Sequence, residues 1–125
     1  MRIYRKKKTE VEDRGGYIRE TIVWTTMPLQ ATNISMGLFR VEIPPNGVIK
    51  AHYHAADTEV FFFQKGKCLV GTDTQKADVE AGDVLVAYPG EVHWFKPIEG
   101  KCIFYTFRIP CDPKDKVEVE AGGNF

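Results

Sequence analysis

The chain holds three histidines, and two of them, His52 and His54, stand two residues apart in Ala51-His52-Tyr53-His54. Side chains alternate faces along a β-strand, so both imidazoles leave the same side, about 7 Å apart along the backbone. Rings at that spacing can converge on one ion. Glu59 follows five residues after His54, beyond a connector, Ala55-Ala56-Asp57-Thr58, long enough for the chain to turn. A strand opened by Glu59 can present its carboxylate to the same point. His93 lies 39 residues beyond His54, past Gly82, Pro89 and Gly90, and a barrel can bring so distant a strand alongside. Neutral imidazole and carboxylate are good ligands for Fe, Mn, Ni, Co, Cu and Zn. Three nitrogens and one oxygen leave positions open on an octahedral ion for substrate or dioxygen. Each residue alone reads more simply as a surface or hydrogen-bonded side chain. The metal reading rests on every histidine of the chain falling into one pattern with one glutamate.

The elements that must position these residues read as strands. Runs rich in β-branched and aromatic residues fall at 18–26, 35–43, 48–54, 59–64, 67–72, 75–80, 83–87, 93–97 and 101–109. At 39–43, Phe39, Val41 and Ile43 alternate with Arg40 and Glu42, the pattern of a half-buried strand. Turn signals separate the runs, among them Pro44-Pro45-Asn46-Gly47, Lys65-Gly66, Asp73-Thr74, Ala81-Gly82-Asp83, Pro89-Gly90 and Glu99-Gly100. Nine such runs with almost no helical periodicity predict an all-β antiparallel sandwich or barrel.

Length and composition narrow the setting. At 125 residues, with 43% hydrophobic and 27% charged residues, the chain reads as one domain over residues 1–125. Its expected parts are an N-terminal arm at 1–16, a barrel at 17–109 and a tail at 110–125. Val117 and Val119 alternate in that tail, which could add an edge strand. Seventeen Lys+Arg balance seventeen Asp+Glu, so nucleic acid is not an expected partner; the basic run at residues 5–8 reads as a solvated arm. No run reaches the length that spans a bilayer, so no membrane role is expected. No apolar segment follows the basic N-terminus, so no secretory signal is expected and the cytoplasm is the expected location. Cys68, Cys102 and Cys111 form neither an even set nor a Cys-x-x-Cys pair and read as reduced thiols.

The pattern resembles a known family. Gly47, His52, His54, Glu59 and Gly66 read G-x4-H-x-H-x4-E-x6-G, and Gly82, Gly90 and His93 read G-x7-G-x2-H. These are similar to the two boxes of the cupin superfamily, G-x5-H-x-H-x3,4-E-x6-G and G-x5-P-x-G-x2-H-x3-N. Three departures occur, none at a ligand position. The first glycine stands one residue closer to the His pair, Pro89 stands one residue late, and Pro97 takes the place of the terminal Asn. The resemblance implies a small jelly-roll-like β-barrel. It also implies that His52, His54, Glu59 and His93 hold one divalent ion per chain, of Fe, Mn, Ni, Cu or Zn.

Fixing those ligands as inward sets the parity of their strands. Phe61, Phe63 and Phe95 are then expected to line the pocket, and Val60, Phe62 and Trp94 to face outward. On the run 103–109, Ile103, Tyr105, Phe107 and Ile109 form the more apolar face, which makes Tyr105 a candidate pocket residue. An interior of this kind suits a small, partly apolar ligand better than a phosphate ester; parity places none of Arg2, Arg19, Arg40 and Arg108. A barrel this small would leave Phe62 and Trp94 near solvent, and a homodimer covering that face is expected, the alternative being cover by the arm or the tail of the same chain.

By resemblance, three functions are open. The first is a mononuclear metalloenzyme of oxidoreductase type, similar to quercetin-type dioxygenases, acireductone dioxygenase and germin-like oxalate oxidases. Glu59-Val60-Phe61 lacks the Glu-x-Arg expected of acireductone dioxygenase. The second is a metal-dependent isomerase or cyclase without redox chemistry, whose sugar-phosphate version a basic cluster at the barrel mouth would favour. The third is a barrel that binds a small molecule without catalysis.

Overall fold

A computed structural model describes residues 1–5 and 9–120; Lys6 to Lys8 of the basic run, and the last five positions, lie outside the described residues. Alternation of apolar and polar residues sets up the strands, and in chain order these are β1 (Glu10–Asp13), β2 (Ile18–Leu29), β3 (Thr32–Ile43), β4 (Ile49–His54), β5 (Thr58–Gly71), β6 (Lys76–Glu80), β7 (Val84–Ala87), β8 (His93–Ile109) and β9 (Lys116–Glu118). Every ladder is antiparallel. One sheet runs β1-β2-β3-β8-β4-β9, and β5 joins β8 to β6 and β7. Because β8 pairs with β3, β4 and β5 along its length, the sheet curls round a single apolar interior.

Two turns expected from sequence are bends inside long strands. Gly66 takes φ 83° and Gly100 φ 61°, and β5 and β8 stay paired past both, with register shifts between Phe63 and Cys68. A glycine is required at 66 on two counts. Left-handed backbone disfavours a side chain, and a Cβ there would lie 2.1 Å from the carbonyl oxygen of Lys101. The irregularity is a β-bulge that bends β5 over the core. At the two ends, β1 lies within the expected arm and pairs with β2, and β9 lies within the expected tail and pairs with β4.

The inner face carries Val41, Ile43, Ile49, Phe61, Phe63, Phe95 and Phe104 as a contiguous core. Phe61 packs on Phe95 and Phe104 with ring centroids 5.0 and 5.4 Å apart.

Trp94 departs from expectation. It points outward, yet it is fully buried, whereas Phe62 is 45% exposed. Trp94 stands opposite Gly71 in the β5–β8 ladder, and a Cβ on Gly71 would meet the indole at 2.1 Å. The bare glycine is the space the indole fills, and Nε1 donates to the Thr72 carbonyl at 3.3 Å. Burial of Trp94 therefore needs no second chain.

Candidate metal centre and its cleft

His52 and His54 alternate with Tyr53 on β4 and are both buried. His52 stands opposite His93 in the β4–β8 ladder, with ring centroids 4.3 Å apart. Glu59, one residue into β5, is also buried. Its Oε1 lies 3.0 Å from His54 Nε2 and 3.3 Å from His93 Nε2. One donor atom from each of the four residues lies within 4.8 Å of every other.

Tautomers follow from the backbone. A carbonyl only accepts, so His52 Nδ1 donates to Lys50 O at 2.7 Å and His93 Nδ1 donates to Glu91 O at 2.9 Å. In the neutral ring the lone pair then sits on Nε2, the form that ligates metal. Burial, and then the neighbouring His93, push His52 down to about 3, so it is neutral at ordinary pH. Burial pushes Glu59 up, but His54 and His93, when they carry protons towards it, outweigh burial and hold the carboxyl well below its usual range. Thr106 Oγ1 donates to Glu59 Oε2 at 2.8 Å and fixes the carboxylate plane.

The four residues fit one divalent ion on an observation independent of spacing. Among the described residues, the buried Glu59 Oε1 and His93 Nε2 have no hydrogen-bond partner. Buried polar atoms are normally satisfied, and a cation between them would satisfy both.

A loop clasp holds this centre. Asp115 accepts from the N–H of Ala56 at 3.0 Å and of Asp57 at 2.9 Å. Asp57 Oδ2 in turn accepts from Arg108 Nε at 3.2 Å and Asp112 N at 3.1 Å. Residues 55–57, which join His54 to Glu59, are thus tied to the segment before β9.

Above the centre opens a cleft of about 420 Å³, its solvent-filled mouth included, and Phe61 and Phe95 are on its wall. Phe63 lies a layer deeper, against Phe95 and Phe104. Tyr105 is a correction. The inward face of β8 is Phe104, Thr106 and Arg108, all buried, while Tyr105 stands opposite the exposed Phe62 on the outer face. Apolar alternation misleads here because the barrel interior turns polar towards its mouth. The cleft lining corrects the expected ligand preference too. It includes Arg14, Tyr17, Arg19, Arg108 and Lys116, a cationic rim that suits an anion. Arg19 faces inward opposite Val41 of β3; its parity was readable only once the β2–β3 register was known.

The model of the family described as "Cupin domain" matches residues 39–105. No curated protein matches the sequence significantly. Among solved structures, KdgF from a Halomonas species is 16% identical, with a TM-score of 0.74 over 89% of this chain and 96% of that one. Pac13, a nucleoside dehydratase from Streptomyces, is 13% identical, with a TM-score of 0.75 over 97% and 92%. The polyketide cyclase RemF from Streptomyces resistomycificus is 17% identical, with a TM-score of 0.74 over 96% and 86%. At these identities the likeness is one of fold.

Proposed function

This chain belongs to the cupin family, and from that premise we propose that it is a mononuclear metal-dependent enzyme acting on a small organic substrate in the barrel. One observation carries the reading: three buried imidazoles and a buried carboxylate face one another with Glu59 Oε1 and His93 Nε2 unsatisfied. His52, His54, Glu59 and His93 would hold one divalent ion of the Fe, Mn, Ni, Cu or Zn class. When bound, such an ion supplies Lewis acidity towards a substrate oxygen and, with a redox-active metal, access to dioxygen chemistry. The chain's own residues do the rest. The Lys50 and Glu91 carbonyls hold protons on Nδ1 of His52 and His93. Thr106 orients Glu59. Phe61, Phe95 and Phe104 give the cleft an apolar wall.

The cationic rim favours chemistry without an oxidant, namely isomerisation, elimination or cyclisation, over a dioxygenase-type reaction. Holding a charged group at the mouth leaves a carbonyl or hydroxyl of the same molecule free to be polarised below. The test uses the protein loaded separately with Fe(II), Mn(II), Ni(II), Cu(II) and Zn(II), incubated in D₂O with hydroxy acids, keto acids, sugar phosphates, enols and diols. NMR reads deuterium incorporation and products, and an electrode reads oxygen uptake. Turnover under argon, lost in Glu59→Gln, is expected. Oxygen uptake coupled to product would restore the oxidoreductase reading. Absence of turnover with every metal would leave a non-catalytic ligand-binding barrel.

We also infer a homodimer. Phe62, Val84 and Val86 are exposed on adjoining strands β5 and β7, and Tyr105 and Phe107 of β8 continue the same outer face. An apolar face of that extent supports a partner. Cys68, Cys102 and Cys111 are buried free thiols, which supports a reducing, cytoplasmic setting.

A further inference from the structure

The chain carries no net charge, yet Arg14, Arg19, Arg108 and Lys116 line the cleft, and among the described residues lining it Glu59 is the one carboxylate. The counter-ions of the four cations are unequal. Arg108 is matched: its Nε lies 3.2 Å from Asp57 Oδ2, and both side chains are buried. Arg14 and Arg19 share one carboxylate, Glu12, at 3.0 and 3.1 Å, so two positive charges meet one negative. Lys116 Nζ approaches Glu118 at 3.9 Å, and that carboxylate is 62% exposed, where a pair contributes little. Asp115, beside Lys116 in sequence, is already occupied by the N–H groups of Ala56 and Asp57.

Arg19 is the sharpest case. Its Nε is buried and has no hydrogen-bond partner among the described residues. Its guanidinium lies 4.7 Å from the centre of the Phe39 ring, and that of Arg108 lies 5.7 Å from the same ring. Two guanidiniums are thus gathered about one aromatic ring at the cleft wall. Like charges in a low-dielectric setting repel, and a buried donor without an acceptor is costly. Both penalties are relieved by an oxyanion, whose geometry suits the planar fork of a guanidinium.

We infer that the substrate carries a carboxylate or phosphate group, anchored in the cleft by Arg19 with Lys116 beside it. This rests on the metal reading for the other end of the substrate, since the same molecule would offer its reacting oxygen to the histidine–glutamate centre. Arg14 and Glu12 then hold the Arg19 side chain from the outer side. Arg108 is already paired and adds long-range attraction.

Isothermal titration of the metal-loaded protein with D-glucose, D-glucuronate and D-glucose 6-phosphate tests this, because the three pyranoses differ only at C6, in the group offered to the rim. At least one anion is expected to bind about tenfold more tightly than glucose at low salt, and the preference should shrink as salt screens it. Which anion binds better identifies carboxylate or phosphate as the anchored group. In Arg19→Gln the preference should fall severalfold while metal content stays at the wild-type level. Lys116→Gln, on a short edge strand, provides a second variant should Arg19→Gln fail to fold. Anions binding no more tightly than glucose, or a preference unchanged in the folded variants, would overturn the inference. Repeating the titrations on chelator-stripped protein separates the two claims. A preference that persists without metal and depends on Arg19 upholds the anchor even if the metal reading fails. A preference that vanishes with the metal means the anion binds at the histidines, and it overturns the anchor.

Discussion

Thr106 on β8 donates a 2.8 Å hydrogen bond to Oε2 of Glu59 on β5, and that contact leaves Oε1 turned towards Nε2 of His54 and His93. Both side chains are buried. The hydroxyl therefore decides which carboxylate oxygen the histidines meet.

Thr106→Val keeps the shape of the side chain and removes the donor. Metal affinity is expected to fall about 10–100-fold, the range found for lost supporting hydrogen bonds around a ligand. Competition with a chromogenic chelator reads the change. Because the valine leaves Oε2 buried and unpaired, a small loss of thermal stability should accompany it.

The convergence of His52, His54, Glu59 and His93 was legible in the sequence because it depends only on residue type and spacing. His52 and His54 share a face by the period of a strand, and Glu59 follows one short loop. The cleft above them was not legible. Tyr105, Phe107 and Ile109 alternate as a core face should, yet they lie outside, because the interior at that depth is occupied by Thr106 and Arg108. A hydrophobic template fails wherever a barrel turns polar inside. The outward direction of Trp94 was legible from parity but its burial was not, because that depends on Gly71 standing opposite it, and the register there follows the bulge at Gly66. Gly66 and Gly100 read as turns in sequence, since a bulge and a turn demand the same left-handed backbone.

Gly71→Ala tests that packing. The added methyl would lie 2.1 Å from the Trp94 ring, and the indole is fully buried with little room to withdraw. Overpacking of this kind costs about 1–3 kcal/mol. Thermal unfolding should shift down by several degrees, and the Trp94 fluorescence should move towards that of a solvated indole.

The clasp at Asp115 predicts a pH-dependent loss. Burial raises its carboxyl, but the N–H groups of Asp57, Ala56 and Ala55 outweigh burial and hold it below its ordinary value. A group lowered in the folded state stabilises at pH above its unfolded value, about 3.9, and loses that contribution as pH falls through its folded value. Asp115→Asn should therefore lower stability by about 1–3 kcal/mol at neutral pH. The gap from wild type should close as the pH drops below about 3.9. Parallel thermal melts across the acid range check it.

Phe62→Asp addresses the outer face. Phe62 is 45% exposed and pairs with Val84 and Tyr105 on its flanking strands. Light scattering behind a sizing column should report a dimer for the wild type and a monomer for the variant, with the fold retained by circular dichroism. A wild-type monomer at micromolar concentration would remove the dimer from the account.

Metal content measures the central claim most directly. Untagged protein purified without chelators, and a His93→Ala partner, would be analysed by elemental mass spectrometry. About one Fe, Mn, Ni, Cu or Zn ion per wild-type chain is expected, with most of it lost from the folded variant. No ion in the wild type even after reconstitution, or full occupancy in His93→Ala, would contradict the metal centre.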